Sequence, residues 1–317
     1  DRHCWRNGQI YGTTGPACVN VGTFQAMGRS TAKATLATLF FARPGESPAE
    51  HAVAILPMGK APVESGVTNY GVDGLGQSGV FVVDLGNGTL LRRFLPGDFN
   101  LTGMPAPVSD STQLGRMWSD AACYPVAPGQ IASRCFIGDA KGVLWRLDLS
   151  STDPEAWKLG YFFDAYNGAN GLSSVQLSMT SSDRAPVVSA PSLARTASGG
   201  VQVIYGTGSA DDVASLSRRH LVFSLAETQT VQATGALAGV SAKRTWTRQL
   251  DDFERFVGPP LVFGGNAYWS SYTVTQSGEC KVGAARLYVL GDDVFAHPEP
   301  WATRLIEGCA LAKDAPA

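Results

Sequence analysis

One unit recurs along this chain in a fixed internal order, and recurrence of that kind restricts the fold to architectures built from stacked copies. The unit is a proline before an apolar pair, an apolar run entering a glycine turn, and an alternating apolar strand. In the first copy Pro107-Val108 precedes Phe136-Ile137-Gly138-Asp139-Ala140-Lys141-Gly142 and then Val143-Leu144-Trp145-Arg146-Leu147-Asp148. In the second, Pro191-Ser192-Leu193 precedes Val203-Ile204-Tyr205-Gly206-Thr207-Gly208 and then His220-Leu221-Val222-Phe223-Ser224-Leu225. In the third, Pro260-Leu261-Val262-Phe263-Gly264-Gly265 precedes Arg286-Leu287-Tyr288-Val289-Leu290. A partial earlier copy, Gly79-Val80-Phe81-Val82-Val83-Asp84, turns through Leu85-Gly86-Asn87-Gly88 into Thr89-Leu90-Leu91-Arg92-Arg93-Phe94. Asn87-Gly88 predicts a tight hairpin with both central residues at positive φ.

Aligning Phe81, Trp145, Phe223 and Tyr288 as equivalent positions spaces the copies 64, 78 and 65 residues apart. That is longer than the ~40–45 residues of a compact propeller blade, so either the loops are long or weaker blades lie between the visible ones. No stretch carries a persuasive helical stripe, and Ser30–Phe41 reads as strand. Loops are expected at Arg43–Glu50, Ser109–Gln130, Ser150–Lys158 and Ala226–Leu237. The expectation is an all-β propeller of seven blades in one domain spanning residues 1–317. Cys4 and Trp5 read as the middle of a structured region, so the chain is expected to be a C-terminal fragment of a longer protein.

Net charge of -2 gives no general attraction to phosphate backbones or anionic lipid, which argues against a nucleic-acid partner. The longest apolar runs are far shorter than the roughly 20 residues of a spanning helix. Six cysteines fall into sequence-local pairs, Cys4 with Cys18, Cys123 with Cys135 and Cys280 with Cys309, one of the 15 possible connectivities and one suited to an oxidising compartment. Zinc is disfavoured, because no two cysteines have C-x-x-C spacing and His3, His51, His220 and His297 are scattered singly.

The segments Cys135–Leu149, Val201–Gly208 and Val257–Leu290 together resemble the C-terminal propeller of the PilY family of type IV pilus biogenesis and tip-adhesin proteins. The likeness lies in order and spacing from about Ser78 to Gly291: a Gly-Asp strand end leading to Leu-Trp-Arg-Leu-Asp-Leu, a later Gly-Thr-Gly turn, and a cysteine ahead of the last apolar strand. It implies a modified, PilY-like propeller with disulfide-tied loops and a secreted or cell-surface location, with passage through the periplasm during assembly. The partners it implies are minor pilins and a host or abiotic surface, in pilus extension, attachment and twitching motility. Members of that family commonly carry an Asp-rich calcium loop. Here the interval from Pro107 to Asp120 offers only Asp110 and Asp120, too few carboxylates for a cation that takes six to eight oxygens, so no metal or other cofactor is expected.

The same blade pattern also builds quinone-dependent dehydrogenases, but an Asp base with a calcium set is not recognisable, and Asp139 and Asp148 are expected to cap hairpin turns. The adjacent acids Asp211-Asp212 and Asp251-Asp252 would point to opposite faces of a strand and read as solvated turns. Tyr161-Phe162-Phe163 and Tyr268-Trp269 with Tyr272 read as core packing before sugar stacking. Arg92-Arg93, Arg218-Arg219 and Lys243-Arg244 read as solvated pairs. The expectation is a non-enzymatic binding protein, with a quinoprotein-like enzyme and a carbohydrate-binding propeller as alternatives.

Overall fold

The computed structural model describes residues 4–6, 9–11, 32–58, 79–94, 117–125, 129–166, 184–196, 200–208, 220–231, 237–251, 253–273, 284–290 and 302–306. The described residues form strands, apart from turns and one three-residue 3-10 turn at Pro154–Ala156. A hairpin of β1 (Cys4–Arg6) and β2 (Gln9–Tyr11) stands first. Four antiparallel four-stranded sheets follow, each made of four consecutive strands in sequence order, which is how a propeller blade is wound.

Blade one holds β3 (Thr35–Phe41), β4 (Ala49–Met58), β5 (Gly79–Asp84) and β6 (Leu90–Phe94). Blade two holds β7 (Ala122–Tyr124), β8 (Arg134–Gly138), β9 (Val143–Asp148) and β10 (Lys158–Asp164). Blade three holds β11 (Ser192–Arg195), β12 (Val201–Gly206), β13 (Leu221–Val231) and β14 (Leu237–Gln249). Blade four holds β15 (Glu254–Phe263), β16 (Asn266–Thr273), β17 (Ala284–Leu290) and β18 (Ala302–Ile306). The described residues thus hold four blades, against the seven expected. Phe81, Trp145, Phe223 and Tyr288 all fall on the third strand of their blades, so the repeat alignment found the right register.

The two-residue period of a strand sends alternate side chains to opposite faces, and here it divides each blade between its neighbours. Ile137, Trp145, Leu147 and Tyr161 of blade two pack with Leu39, Val53, Val80 and Val82 of blade one. From the other face of blade two, Phe136, Leu144, Phe162 and Phe163 pack with Val203, Tyr205, Phe223 and Val240 of blade three. A bulge in β10 between Tyr161 and Phe163 breaks the alternation and puts two successive phenylalanines on that face. Ile204, Val222 and Trp246 of blade three then meet Phe256, Trp269 and Tyr288 of blade four. Gly206 is required here, since a Cβ at that position would lie 2.4 Å from the Phe256 ring.

Four local expectations are corrected. Residues 226–231 continue β13 and 237–249 form β14, so the expected Ala226–Leu237 loop is mostly a long hairpin. Ala122–Tyr124, inside the expected Ser109–Gln130 loop, is β7, and 49–50 of the expected Arg43–Glu50 loop open β4. The β5–β6 turn is also longer than the tight two-residue form: Gly88 takes φ +75° but Asn87 does not take positive φ, and Gly88 N–H donates to Asp84 O at 2.8 Å. The Asp84 carboxylate organises that loop, accepting from Gly86 N–H at 2.7 Å and from Arg43 at 2.7 and 3.0 Å. Burial would raise the Asp84 carboxyl, but these hydrogen bonds outweigh it and hold it below the usual carboxylate range.

Candidate functional site

The first strand of each blade is an edge strand, and all four first strands converge on one cavity of about 680 Å3. Leu36 of β3, Cys123 of β7, Leu193 of β11 and Leu261 of β15 stand in its wall, with Pro125 and Gln130 from the turn after β7. The prolines of the repeat explain the edges. Pro191 immediately precedes β11, and Pro260 lies inside β15 where the pairing with β16 slips between Val257 and Leu261, because a proline has no N–H to give to a ladder. Thr35 Oγ1 donates to Ala121 O at 2.8 Å, Ala132 N–H donates to Thr38 O at 2.8 Å, and Ser192 Oγ donates to Pro260 O, so the wall is tied together across blades. Among the described residues no acidic, basic, histidine or aromatic side chain lines the cavity.

Cys123 and Cys135 form a disulfide directly across the β7–β8 pair, as expected. β7 has only three paired positions, so the bridge anchors a strand that its own ladder holds weakly. Cys4 lies in β1, while Cys18, Cys280 and Cys309 fall outside the described residues. Of the two acids in the degenerate calcium interval, Asp110 lies outside the described residues, and Asp120 accepts from Lys33 N–H at 2.5 Å, just before β7. The described residues bring no three metal-ligating side chains together.

The buried acids are engaged in structure. Asp139 accepts from the N–H groups of Lys141 and Val143 at 2.8 and 2.9 Å and from Trp145 Nε1 at 2.8 Å, closing a turn in which Gly142 takes φ +81°. Asp148 accepts from Ser150 N–H at 3.0 Å, so both residues cap turns as expected. Asp164 joins blade two to the segment entering blade three through Arg184 at 2.8 and 3.1 Å. Glu254 accepts from Asp251 N–H at 2.8 Å, Arg286 Nη1 at 3.1 Å and Tyr288 Oη at 2.5 Å. Arg92 pairs with Glu155 at 2.5 Å, linking blade one to blade two, whereas Asp211, Asp212, Arg218 and Arg219 lie outside the described residues.

Sequence reasoning missed one cluster. Glu227 Oε1 accepts from Arg146 Nε at 2.5 Å, and its Oε2 lies 2.8 Å from Arg134 Nε, placing a carboxylate and two guanidiniums between blades two and three. Burial lowers the Arg134 guanidinium, with Glu227 opposing that shift. The available signal was Arg146, a charge at an inward position of an otherwise apolar strand, with Glu227 on the same alternation as Leu221, Phe223 and Leu225.

No family model and no curated protein matches the chain. Among solved structures it is similar to the C-terminal domain of Pseudomonas aeruginosa PilY1, at 15% identity and a TM-score of 0.50, over 84% of this chain and 59% of that one. The chain therefore spans little more than half the length of that domain, and the likeness shows a shared propeller-like fold. A protein from Parabacteroides distasonis described as a glycoside hydrolase matches at 11% identity and a TM-score of 0.29, over 86% of this chain and 72% of that one, too low to carry an argument.

Proposed function

We propose that this chain is a non-enzymatic binding component of a type IV pilus tip, acting with minor pilins in pilus assembly and contacting host or abiotic surfaces at the cell exterior. The observation that carries the reading is the fold shared with the PilY1 C-terminal domain over 84% of the chain. The motif order at Cys135–Leu149, Val201–Gly208 and Val257–Leu290 supports it from the sequence side. A propeller suits such a role because packed blades hold the connecting segments in fixed relative positions. The carboxylates of Asp84, Asp139, Asp164, Glu227 and Glu254 accept hydrogen bonds inside the fold, which is how a scaffold uses buried acids.

Purified minor pilins and major pilin, each presented to the disulfide-intact 317-residue chain, test the reading by mass photometry and pull-down. Stoichiometric capture by minor pilins, with none by the major pilin, is the expected result. Failure of every minor pilin to bind would remove the pilus role and leave a free-standing binding propeller.

A further inference from the structure

We propose that the central cavity binds an uncharged small amphiphile, with an aliphatic body against Leu36, Leu193 and Leu261 and one hydroxyl or amide group meeting Thr38 and Gln130. The inference rests on the cavity and is independent of the pilus reading. The wall is not uniform, and its one polar corner sets the ligand's chemistry. Four hydroxyl or amide side chains line the cavity among the described residues, and two of them, Thr35 and Ser192, donate to Ala121 O and Pro260 O inside the fold. The other two, Thr38 and Gln130, have no side-chain hydrogen bond among the described residues. Thr38 is bridged to Ile131, the residue after Gln130, so both free polar groups stand at one corner, between blades one and two. The far wall, from Leu193 of blade three and Leu261 and Val262 of blade four, offers only apolar side chains and the committed Ser192. A ligand that matches both ends is apolar over most of its length and polar at one end.

Size and charge narrow the class further. The volume of about 680 Å3 lies within the ~300–1,000 Å3 range of small-molecule sites, which are mostly apolar with a few placed polar groups. Six large apolar side chains are exposed among the described residues, and three of them, Leu36 (70%), Leu85 (49%) and Leu261 (61%), are in this wall. Apolar surface gathered in a concavity gains by being covered. With no charged side chain lining it among the described residues, an ionic head group would lose water and gain no counter-charge. A sugar would find no aromatic ring to stack on and too few free hydrogen-bonding groups. A plain hydrocarbon would strip water from Thr38 and Gln130 and give them nothing to bond. A neutral alcohol or amide on an aliphatic chain meets each of these conditions.

The test titrates the whole 317-residue chain, disulfide intact, with 1-decanol, decanoate and decyltrimethylammonium, amphiphiles alike in chain and unlike in charge, followed by calorimetry. Saturable one-site binding of decanol is expected, with each ion weaker by about tenfold or more. Leu261→Glu, at an exposed position outside the packed clusters, should weaken decanol about tenfold and strengthen decyltrimethylammonium by supplying the missing counter-charge. Gln130→Leu should weaken decanol by about threefold to tenfold through the lost hydrogen bond. In the unaltered chain, decanol should slow hydrogen exchange at Thr35–Phe41 and Ser192–Arg195, a readout that needs no variant. Non-saturable uptake, equal affinity for the three amphiphiles, or protection confined to strands outside the wall would overturn the proposal. So would a folded Leu261→Glu variant that binds decanol undiminished.

Discussion

The junction between blades two and three and the junction between blades three and four join similar sheets by different means. At the first, Phe163, Tyr205 and Phe223 pack edge-on or stacked, and Glu227 sits between Arg146 and Arg134 at the rim of that core. At the second, Trp246, Trp269 and Tyr288 form a continuous stack, with ring centroids 5.6 and 5.1 Å apart, and the charged group Glu254 bonds at its margin. The aromatic stack gains from apolar burial that is indifferent to its exact neighbours in charge. The ionic cluster gains only while all three partners are present, because each charge has been taken out of water.

Removing one member at each junction should separate the two designs. Glu227→Ala leaves the buried Arg146 guanidinium with Asp148 alone, 3.4 Å away, and strips the partly buried Arg134 of its carboxylate, and should cost about 3 kcal/mol in chemical denaturation. Replacing Glu227, Arg134 and Arg146 together by leucine or methionine should recover most of that loss, since the desolvation cost disappears with the charges. Trp269→Ala should cost a similar ~3–5 kcal/mol by opening a cavity between its two stacking partners. No second substitution of a charged neighbour should recover it. If the triple apolar variant is no more stable than Glu227→Ala, the two junctions do not differ in kind.

A smaller effect comes from the disulfide, which holds the first strand of blade two, whereas β11 of blade three has no bridge at the matching place. Replacing Cys123 and Cys135 by alanine should cost about 2–4 kcal/mol by freeing the 12-residue separation they close in the unfolded chain. Hydrogen exchange should quicken at β7 before β11. Equal exchange in the two strands would show that β7 is held by its ladder and by the blade-one contacts instead.

The repeat grammar made the third strands legible, since Trp145, Phe223 and Tyr288 are large aromatic residues at inward positions and Phe81 aligned with them. Asp139 and Asp148 were legible as caps because a short carboxylate two or three residues before a turn glycine or serine has few other partners. The β13–β14 hairpin was not, because its Thr, Gln, Gly and Ala residues lack apolar alternation once the strands run past the core. The cavity was illegible for a different reason: its wall is assembled from four first strands far apart in sequence, and small residues such as Ala37 and Ala122 carry no chemical signature of their own.

Two tyrosines at the blade two–three junction give the finest comparison. Tyr166 Oη donates to Thr207 Oγ1 at 3.0 Å, whereas Tyr205 Oη is buried with no hydrogen-bond partner among the described residues. Tyr166→Phe should therefore destabilise by about 1 kcal/mol at neutral pH, and Tyr205→Phe should be neutral or stabilise by up to about 1 kcal/mol, because it removes a desolvated hydroxyl with nothing to bond. Burial pushes the Tyr166 phenol up to about 12 from an ordinary value near 10. Below pH 10 both states hold that proton and the contribution is complete. Between 10 and 12 the unfolded chain releases it while the folded chain keeps it, so stability falls as pH rises. Burial also raises Tyr205 and Tyr288, which act with the same sign. Tyr166→Phe and Tyr205→Phe should each flatten the alkaline limb of a stability-versus-pH curve, but of the two only Tyr166→Phe should lower its neutral plateau. A lowered plateau for Tyr205→Phe would mean that its hydroxyl has a partner, and that the junction is more polar than its ring packing indicates.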